Sequence, residues 1–381
     1  MIAARRLGRA DPGLGVAGKL LRVSWLYVLL LCALAGVGYA ALYASAGGPE
    51  PYAQRHALRF GIALALMLGV ALVDIRVIAR LSWPVYAGAV VLLVLVLQVG
   101  AVGKGAQRWI EVGGFQLQPS ELAKIALVMA LASWFQRASW ERMGNPLFLA
   151  LPALAVAVPV ALVLKQPNLG TAVILGLVGL AVFVAAGLRW WWLALAALPV
   201  PFAAQYAYAH LRDYQRARIT TFFDPESDPL GAGYNIMQSK IALGSGGLWG
   251  KGWLHGTQGQ LNFLPEKHTD FIFTTLGEEF GLVGSLSVLA LLACLVLGGM
   301  LIALRCRNRY GRLLALGISV NFFLYVFVNV AMVTGSIPVG GVPLPLVSHG
   351  GSAMLTTMFG FGLLMSVHVH RDAELGDERE T

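Results

Sequence analysis

The chain has 381 residues, 57% of them hydrophobic and 12% charged, with a mean hydropathy of +0.71. That balance excludes an ordinary soluble or disordered domain and points to a multi-span membrane protein. The net charge of +9 is spread over connecting segments, with no basic run interleaved with aromatics, so it speaks for contact with anionic lipid and against nucleic acid.

A helix that crosses a bilayer needs about 20 apolar residues. Ten runs approach that length, at roughly 25–45, 59–74, 84–102, 121–136, 146–164, 170–188, 190–209, 271–304, 313–334 and 350–368; the eighth has its apolar heart at 282–304. None shows the two-residue alternation of a barrel strand, and backbone groups in lipid must pair within their own segment. The expected fold is an all-α polytopic membrane protein of about ten transmembrane helices. Ala44-Ser45-Ala46 has the small residues of a signal-peptidase site, but the stretch at 25–43 is longer than a usual signal core and is read as the first span. Arg5, Arg6, Arg9, Arg76, Arg80, Arg137, Arg305, Arg307, Arg309 and Arg312 fall on one side of this arrangement; Arg55, Arg59, Lys104, Arg108 and Lys165 fall on the other. The positive-inside rule then puts both termini in the cytoplasm. Residues 1–24 form a basic N-terminal segment, 25–370 a single membrane domain and 371–381 a charged cytoplasmic tail. Cys32, Cys294 and Cys306 are scattered and suggest neither a disulfide framework nor a metal site.

One connection breaks the pattern of short loops. The outer segment 210–279, between the seventh and eighth spans, is about 70 residues long, and such loops are functional or disordered. It holds eight of the chain's 19 acidic residues: Asp213, Asp224, Glu226, Asp228, Glu266, Asp270, Glu278 and Glu279. Apolar residues between its glycines, such as Ile236, Leu243, Leu248 and Trp249, imply order as short helices at the bilayer surface. Its last part, Leu-Pro-Glu-Lys-His-Thr-Asp-Phe-Ile-Phe at 264–273, is a polar island before an apolar run. Titratable groups at a membrane edge are costly to hold and are functional candidates. Asp270 has two readings: a cap on a helix starting near Thr269, worth about 1 kcal/mol, or a partly desolvated general base toward a hydroxyl. Lys267 and His268 can tune that carboxylate or bind an anion; His268 also reads as a hydrogen-bonded structural residue.

Five other stretches bear on the chemistry. Gln118-Pro119-Ser120-Glu121-Leu122-Ala123-Lys124 opens the fourth span, with Ser120 as a plausible cap. Glu121 and Lys124 share a helix face, and either lock helix packing or present the ammonium to a phosphate. Gly103 to Trp109 is a glycine-rich basic loop with an interfacial tryptophan, read as a turn. Arg216 and Arg218 can clamp a diphosphate from an irregular segment, and the following Asp224-Pro225-Glu226-Ser227-Asp228 is a turn or a divalent-cation site. Gly244 to Gly252 looks like a phosphate loop but fails its pattern, because Ser245 stands where the first glycine is needed and Gly252 follows Lys251. Val342 to Ser352 makes a non-helical outer loop, tolerated at membrane depth only against protein or a cavity. Its Ser348 either binds substrate or shapes the turn.

Together these stretches resemble the SEDS family (shape, elongation, division and sporulation). The resemblance lies in Gly-Lys-Gly-Trp-Leu-His-Gly-Thr-Gln at 250–258 with the 264–273 run, Gly-Ala-Gln-Arg-Trp at 105–109, Gln-Pro-Ser-Glu-Leu-Ala-Lys at 118–124, Asp-Pro-Glu-Ser-Asp-Pro-Leu-Gly-Ala-Gly-Tyr at 224–234 and Val-Pro-Leu-Pro-Leu-Val-Ser at 342–348. It runs from the first span to the tenth, and the Gly-Thr-Gln element is similar to the elongation branch. Lys267 stands where the family usually has Arg or Ala, and His349 where Tyr is usual. The resemblance implies a peptidoglycan glycosyltransferase that polymerises lipid II on the periplasmic side of the bacterial inner membrane. It also implies a class B penicillin-binding protein as partner, rod-complex proteins such as MreC and MreD, and a divalent cation, Mg or Mn. Asp270 matches the family's essential aspartate, and Glu121 and Lys124 a functionally sensitive pair. The residues agree with this: a base must activate the acceptor's 4-hydroxyl, and in-line displacement inverts the donor's anomeric carbon to give a β-1,4 link. The leaving lipid diphosphate needs cations, for which Lys124, Arg108, Arg216, Arg218 and Lys240 are candidates. Two rivals are a lipid II flippase, which would need polar residues near the midplane, and a non-catalytic scaffold that activates the penicillin-binding protein.

Overall fold

The computed structural model describes residues 15–373 apart from 104–105, 113–114, 140, most of 199–212, 225–231, 258–265 and 339. A surface helix α1 (Val16–Arg22) leads into α2 (Trp25–Ala46), α3 (Ala53–Ala71) and α4 (Ile75–Val99). Next come β1 (Ala101–Gly103), β2 (Ala106–Val112) and β3 (Phe115–Leu117), then α5 (Pro119–Phe135), α6 (Pro146–Lys165), α7 (Leu169–Ala185) and α8 (Trp190–Ala197). The long loop contributes α9 (Asp213–Phe223) and α10 (Ala232–Ser245), and the chain closes with α11 (Ile272–Arg305), α12 (Arg309–Val333) and α13 (Gly351–Val369). Among the described residues, α2, α4, α6, α11, α12 and α13 are long and apolar enough to cross a membrane, and α7 is a shorter apolar helix. The chain is a multi-pass membrane protein. The seventh expected span, 190–209, is described only as α8 and isolated residues; the rest of it lies outside the described residues, as do 1–14 and the tail from 374.

Local chemistry sets the boundaries. Asp74, Asn145 and Asn308 cap α4, α6 and α12, accepting from Arg76 N at 2.8 Å, Leu147 N at 2.9 Å and Gly311 N at 2.6 Å. The Asp74 cap starts α4 well before residue 84, where the apolar run begins in the sequence; Arg76 and Arg80 interrupt the hydropathy but not the helix. Ser120 is not the cap of α5. Gln118 holds that position, and Ser120, inside the first turn, accepts from its side chain at 3.1 Å. The all-α expectation needs a further correction, since β1, β2 and β3 form an antiparallel sheet, pairing Ala101 with Trp109 and Ile110 with Leu117. Arg108 and Trp109 therefore sit on a strand, where the sequence was read as a turn. The aromatic and β-branched residues Trp109, Ile110 and Val112 suit a strand.

α5 and α13 are buried on most faces and form the centre of the bundle. α13 packs on α3, α12 and α5; α11 packs on α12 and α2. Exposed leucines such as Leu26, Leu66, Leu154, Leu177 and Leu301 cover the outside. The long loop is pinned to this bundle. On α10, Ser239 Oγ contacts Thr274 Oγ1 and the Val333 carbonyl, both at 2.8 Å. The 244–252 run docks by its backbone and by an ion pair from Lys251 Nζ to Glu278 Oε1 at 2.7 Å. Gly281, at φ 65°, breaks α11, and the freed amides of Leu282 and Val283 donate to Gly247 O (2.9 Å) and Leu248 O (3.1 Å). In return Lys251 N and Gly252 N donate to Glu278 O and Glu279 O, each at 3.0 Å. The break at Gly281 is where the apolar heart of this span, 282–304, begins.

Candidate active site

Residues 266–270 form a turn that leads into α11. The N-cap position belongs to Phe271, which makes no side-chain cap, so Asp270 lies ahead of the helix and the capping expected at Thr269 or Asp270 is not made. Thr269 Oγ1 instead donates to Glu266 Oε2 at 2.9 Å. The turn is clasped to the last outer loop. Asn329 Nδ2, from α12, donates to Asp270 O at 2.8 Å and to Val342 O at 2.7 Å. Ser348 Oγ donates to Thr269 O at 2.6 Å and accepts from Leu344 N at 2.8 Å. His349 N donates to His268 O at 2.8 Å. The Asp270 carboxylate faces Gly341, whose φ of 65° brings backbone without a side chain opposite it. Ser348 thus spends its one proton on shaping this junction.

The fourth-span pair lies beneath. Lys124 Nζ bonds Glu121 Oε1 at 2.8 Å, and Tyr325 OH, again from α12, bonds the same oxygen at 2.5 Å. The ammonium also sits 4.0 Å from the centre of the Tyr325 ring. Lys124 is 1% exposed and Glu121 7%, so the pair faces protein, as a charge pair in lipid must. Tyr325 and Asn329 are four residues apart and share one face of α12. That face joins the two motifs: Tyr325 holds Glu121 and Lys124, and Asn329 holds the Asp270 turn. Against Tyr325 and the last outer loop runs a narrow cleft lined by Tyr325, Pro343, Leu344, Ser348 and Met354.

An aromatic cluster flanks the turn. Tyr52 stacks on His268 with ring centres 4.1 Å apart and meets His349 edge-on at 5.0 Å. Ser45 Oγ lies 3.3 Å from His268 Nδ1, and Arg59 Nη1 lies 3.3 Å from His349 Nε2. Burial, and then Lys267, hold His268 below the ordinary imidazole range, with Glu266 opposing. Burial, followed by Arg59, His268 and Arg55, pushes His349 down to about 4. Burial also lowers the Lys267 ammonium. Both imidazoles are therefore neutral at neutral pH.

The other basic candidates stand elsewhere. Arg108 donates to the Gln166 carbonyl at 3.3 Å and to that of Pro167, tying β2 to the α6–α7 turn. Arg216 and Arg218 lie on the helix α9 and not on the irregular segment expected, so two residues apart they do not share a face as a clamp; Arg216 donates to the Ala209 carbonyl. Lys240 is exposed on α10 with its stem against Gly335. The side chain of Arg218 and the segment with Glu226 and Asp228 lie outside the described residues. Among the described residues no three His, Cys, Asp or Glu side chains come together as a metal cage.

A family model described as "Cell cycle protein", FtsW/RodA/SpoVE, matches residues 21–373. The chain belongs to this family. It is 46% identical over 350 residues to the peptidoglycan glycosyltransferase MrdB of Escherichia coli K12, covering 90% of this chain and 93% of that protein. It is 38% identical over 309 residues to a probable peptidoglycan glycosyltransferase FtsW of Geobacter metallireducens, covering 80% and 82%. Its fold is similar to a chain from a peptidoglycan synthase complex that coordinates polymerisation and crosslinking, with TM-score 0.79, 32% identity, and 92% and 99% of the two chains covered. It is also similar to the crystal structure of the rod shape determining protein RodA of Thermus thermophilus, with TM-score 0.70, 29% identity, and 92% and 98% covered. In this FtsW/RodA/SpoVE chain, sequence reading missed Asn329, Tyr325, Tyr52 and Arg59. Asn329 did carry a signal, as a polar residue in an apolar run. Tyr325 carried none, because its role is a partner 204 positions away.

Proposed function

We propose that this protein is an inverting peptidoglycan glycosyltransferase that polymerises lipid II into β-1,4-linked glycan strands during cell elongation. The observation that carries the reading is the Asp270 turn, clasped to the last outer loop and facing the side-chain-free backbone of Gly341. Asp270 takes the proton from the acceptor's 4-hydroxyl as that oxygen attacks the donor's anomeric carbon. The bond to the lipid diphosphate breaks on the opposite face, and the leaving group departs with the electron pair. Lys124 is locked to Glu121, and we assign that pair a positioning role through α12. Arg108, Arg216, Arg218 and Lys240 remain the candidates for meeting the diphosphate. No all-protein cage exists for Mg or Mn among the described residues, and a magnesium ion is commonly held by one or two carboxylates plus substrate phosphates. Asp270 and the diphosphate would hold it in that way, and it would neutralise leaving-group charge. The reading places the chain in the bacterial inner membrane with Asp270 on the periplasmic side, beside a class B penicillin-binding protein. The likeness to a chain of a complex that couples polymerisation to crosslinking supports that partner. Assembly with MreC and MreD rests on the motif resemblance.

The test is glycan polymerisation from lipid II by the protein fused to its penicillin-binding partner, with moenomycin present to silence conventional glycosyltransferases. Asp270→Asn is expected to lose about 10²- to 10⁴-fold in rate at equal complex yield. Undiminished polymer would remove Asp270 from the chemistry. Lipid II scrambling without polymer would favour the flippase.

A further inference from the structure

The opposite end of the bundle from Asp270 carries a second site that the polymerase reading does not use. A cavity of about 240 Å³ lies there, lined by Arg22, His368, Arg371 and Asp372. Arg22 ends α1, and Arg371 follows α13. Among the described residues Arg22 has no hydrogen bond or ion pair, and His368 Nδ1 is buried without a partner. Arg371 meets Asp372 only loosely, Nε to Oδ2 at 3.7 Å, and Asp372 is shared with Arg307 at 3.8 Å. The walls are fixed in place. Lys19 Nζ anchors α1 on the Leu72 carbonyl at 2.9 Å, and Arg307 N donates to Arg371 O at 3.1 Å. The cavity therefore presents an excess of guanidinium donors in a held geometry.

We propose that this cavity binds the phosphate of an anionic phospholipid. Guanidinium forks match phosphate oxygens, and a basic pocket at a membrane surface takes anionic headgroups. The surroundings select a lipid over a free anion. Leu21 on α1 is 82% exposed, and on α2 Leu26 is 70% exposed, with Trp25 and Leu29 also exposed, so apolar side chains are open to lipid on both sides of Arg22 in the chain. Acyl chains can lie against them while the headgroup enters the cavity. An anionic glycerol headgroup suits it better than a zwitterionic one, whose ammonium would meet Arg22 and Arg371.

The full-length protein in mixed micelles would be offered phosphatidylglycerol and phosphatidylcholine, and lipid retention read by native mass spectrometry. Wild type is expected to prefer phosphatidylglycerol. Arg22→Gln/Arg371→Gln should reduce that preference about 30-fold, and Asp372→Asn, which removes the competing carboxylate, should raise it. Arg76→Gln/Arg80→Gln, at the same end but outside the cavity, should leave it unchanged. An unchanged preference in the double variant overturns the site. An equal loss in the Arg76/Arg80 control reduces it to general surface charge and also overturns it. Thermal stabilisation by inorganic phosphate equal to that by the lipid overturns the lipid assignment. If the double variant fails to fold, Arg22→Gln alone, on the exposed end of α1, carries the test with an expected loss of about fivefold.

Discussion

Two segments of the long outer loop reach the start of α11 and are held there by different balances of side chain and backbone. The 266–270 turn is held by side chains: Asn329, Ser348 and Thr269 bond its carbonyls and carboxylates. The 244–252 run is held mainly by backbone against the broken helix at Gly281, with an ion pair from Lys251 to Glu278 at 2.7 Å beside it. The first kind of junction fails when a side chain is removed. The second fails when one is added. A turn fixed by side chains reports every change in α12 beneath it, while the glycine run supplies a stiff wall with Lys251 as its side-chain tie.

The sharpest way to break the side-chain region is at its root. Lys124→Met leaves Glu121 buried without its cation, and removing one partner of a buried pair costs about 3–5 kcal/mol. Thermal unfolding in detergent should show that loss, and Lys124→Met with Glu121→Gln should recover part of it. A single variant as stable as wild type would mean that the pair does not hold α5 to α12. The backbone region should break at Gly250. Its φ is +82° and an added Cβ would lie 2.0 Å from the Glu279 carbonyl, so Gly250→Ala is expected to cost about 1–3 kcal/mol. Gly48→Ala, with nothing within 4 Å of its Cβ, is the matched control; equal melting temperatures for the two would contradict backbone docking.

Asn329→Leu comes next. It strips two carbonyls of their donor at a cost of about 1–3 kcal/mol, and it should depress polymerisation more than it depresses stability, because one of the two belongs to Asp270. If rate and stability fell in proportion, Asn329 would be a packing residue only.

Much of this was legible in the chain. The hydrophobic runs gave the helices because period and length survive any packing. Glu121 and Lys124 were paired from their spacing alone, since residues three apart share a helix face. The sheet at 101–117 was missed because masking by two short glycine turns made its strands look like a loop. Ser348 and Asp270 could be named but not joined, because their meeting depends on Asn329, which lies on a helix between them in sequence. The glycine run fails the phosphate-loop pattern in sequence, and its docking role appears only when Gly281 frees two amides of another element.

The smallest expected effect is a pH dependence, and it separates the aromatic flank from the rest of the side-chain region. His349 is held at about 4, against an ordinary 6.5, by burial and then by Arg59, His268 and Arg55. Between about pH 6.5 and about 4 the unfolded chain therefore binds more protons than the folded one. The stability contributed here is complete above that window, falls as the pH drops through it and changes no further below it. His349→Tyr keeps an aromatic ring against Tyr52 but titrates nowhere in this range. Melting temperatures measured from pH 7 to 4 should fall less steeply for this variant, while the two proteins stay close at pH 7. Any slope that remains belongs in part to His268, which burial and Lys267 depress in the same direction. Parallel curves would place the acid sensitivity wholly outside His349.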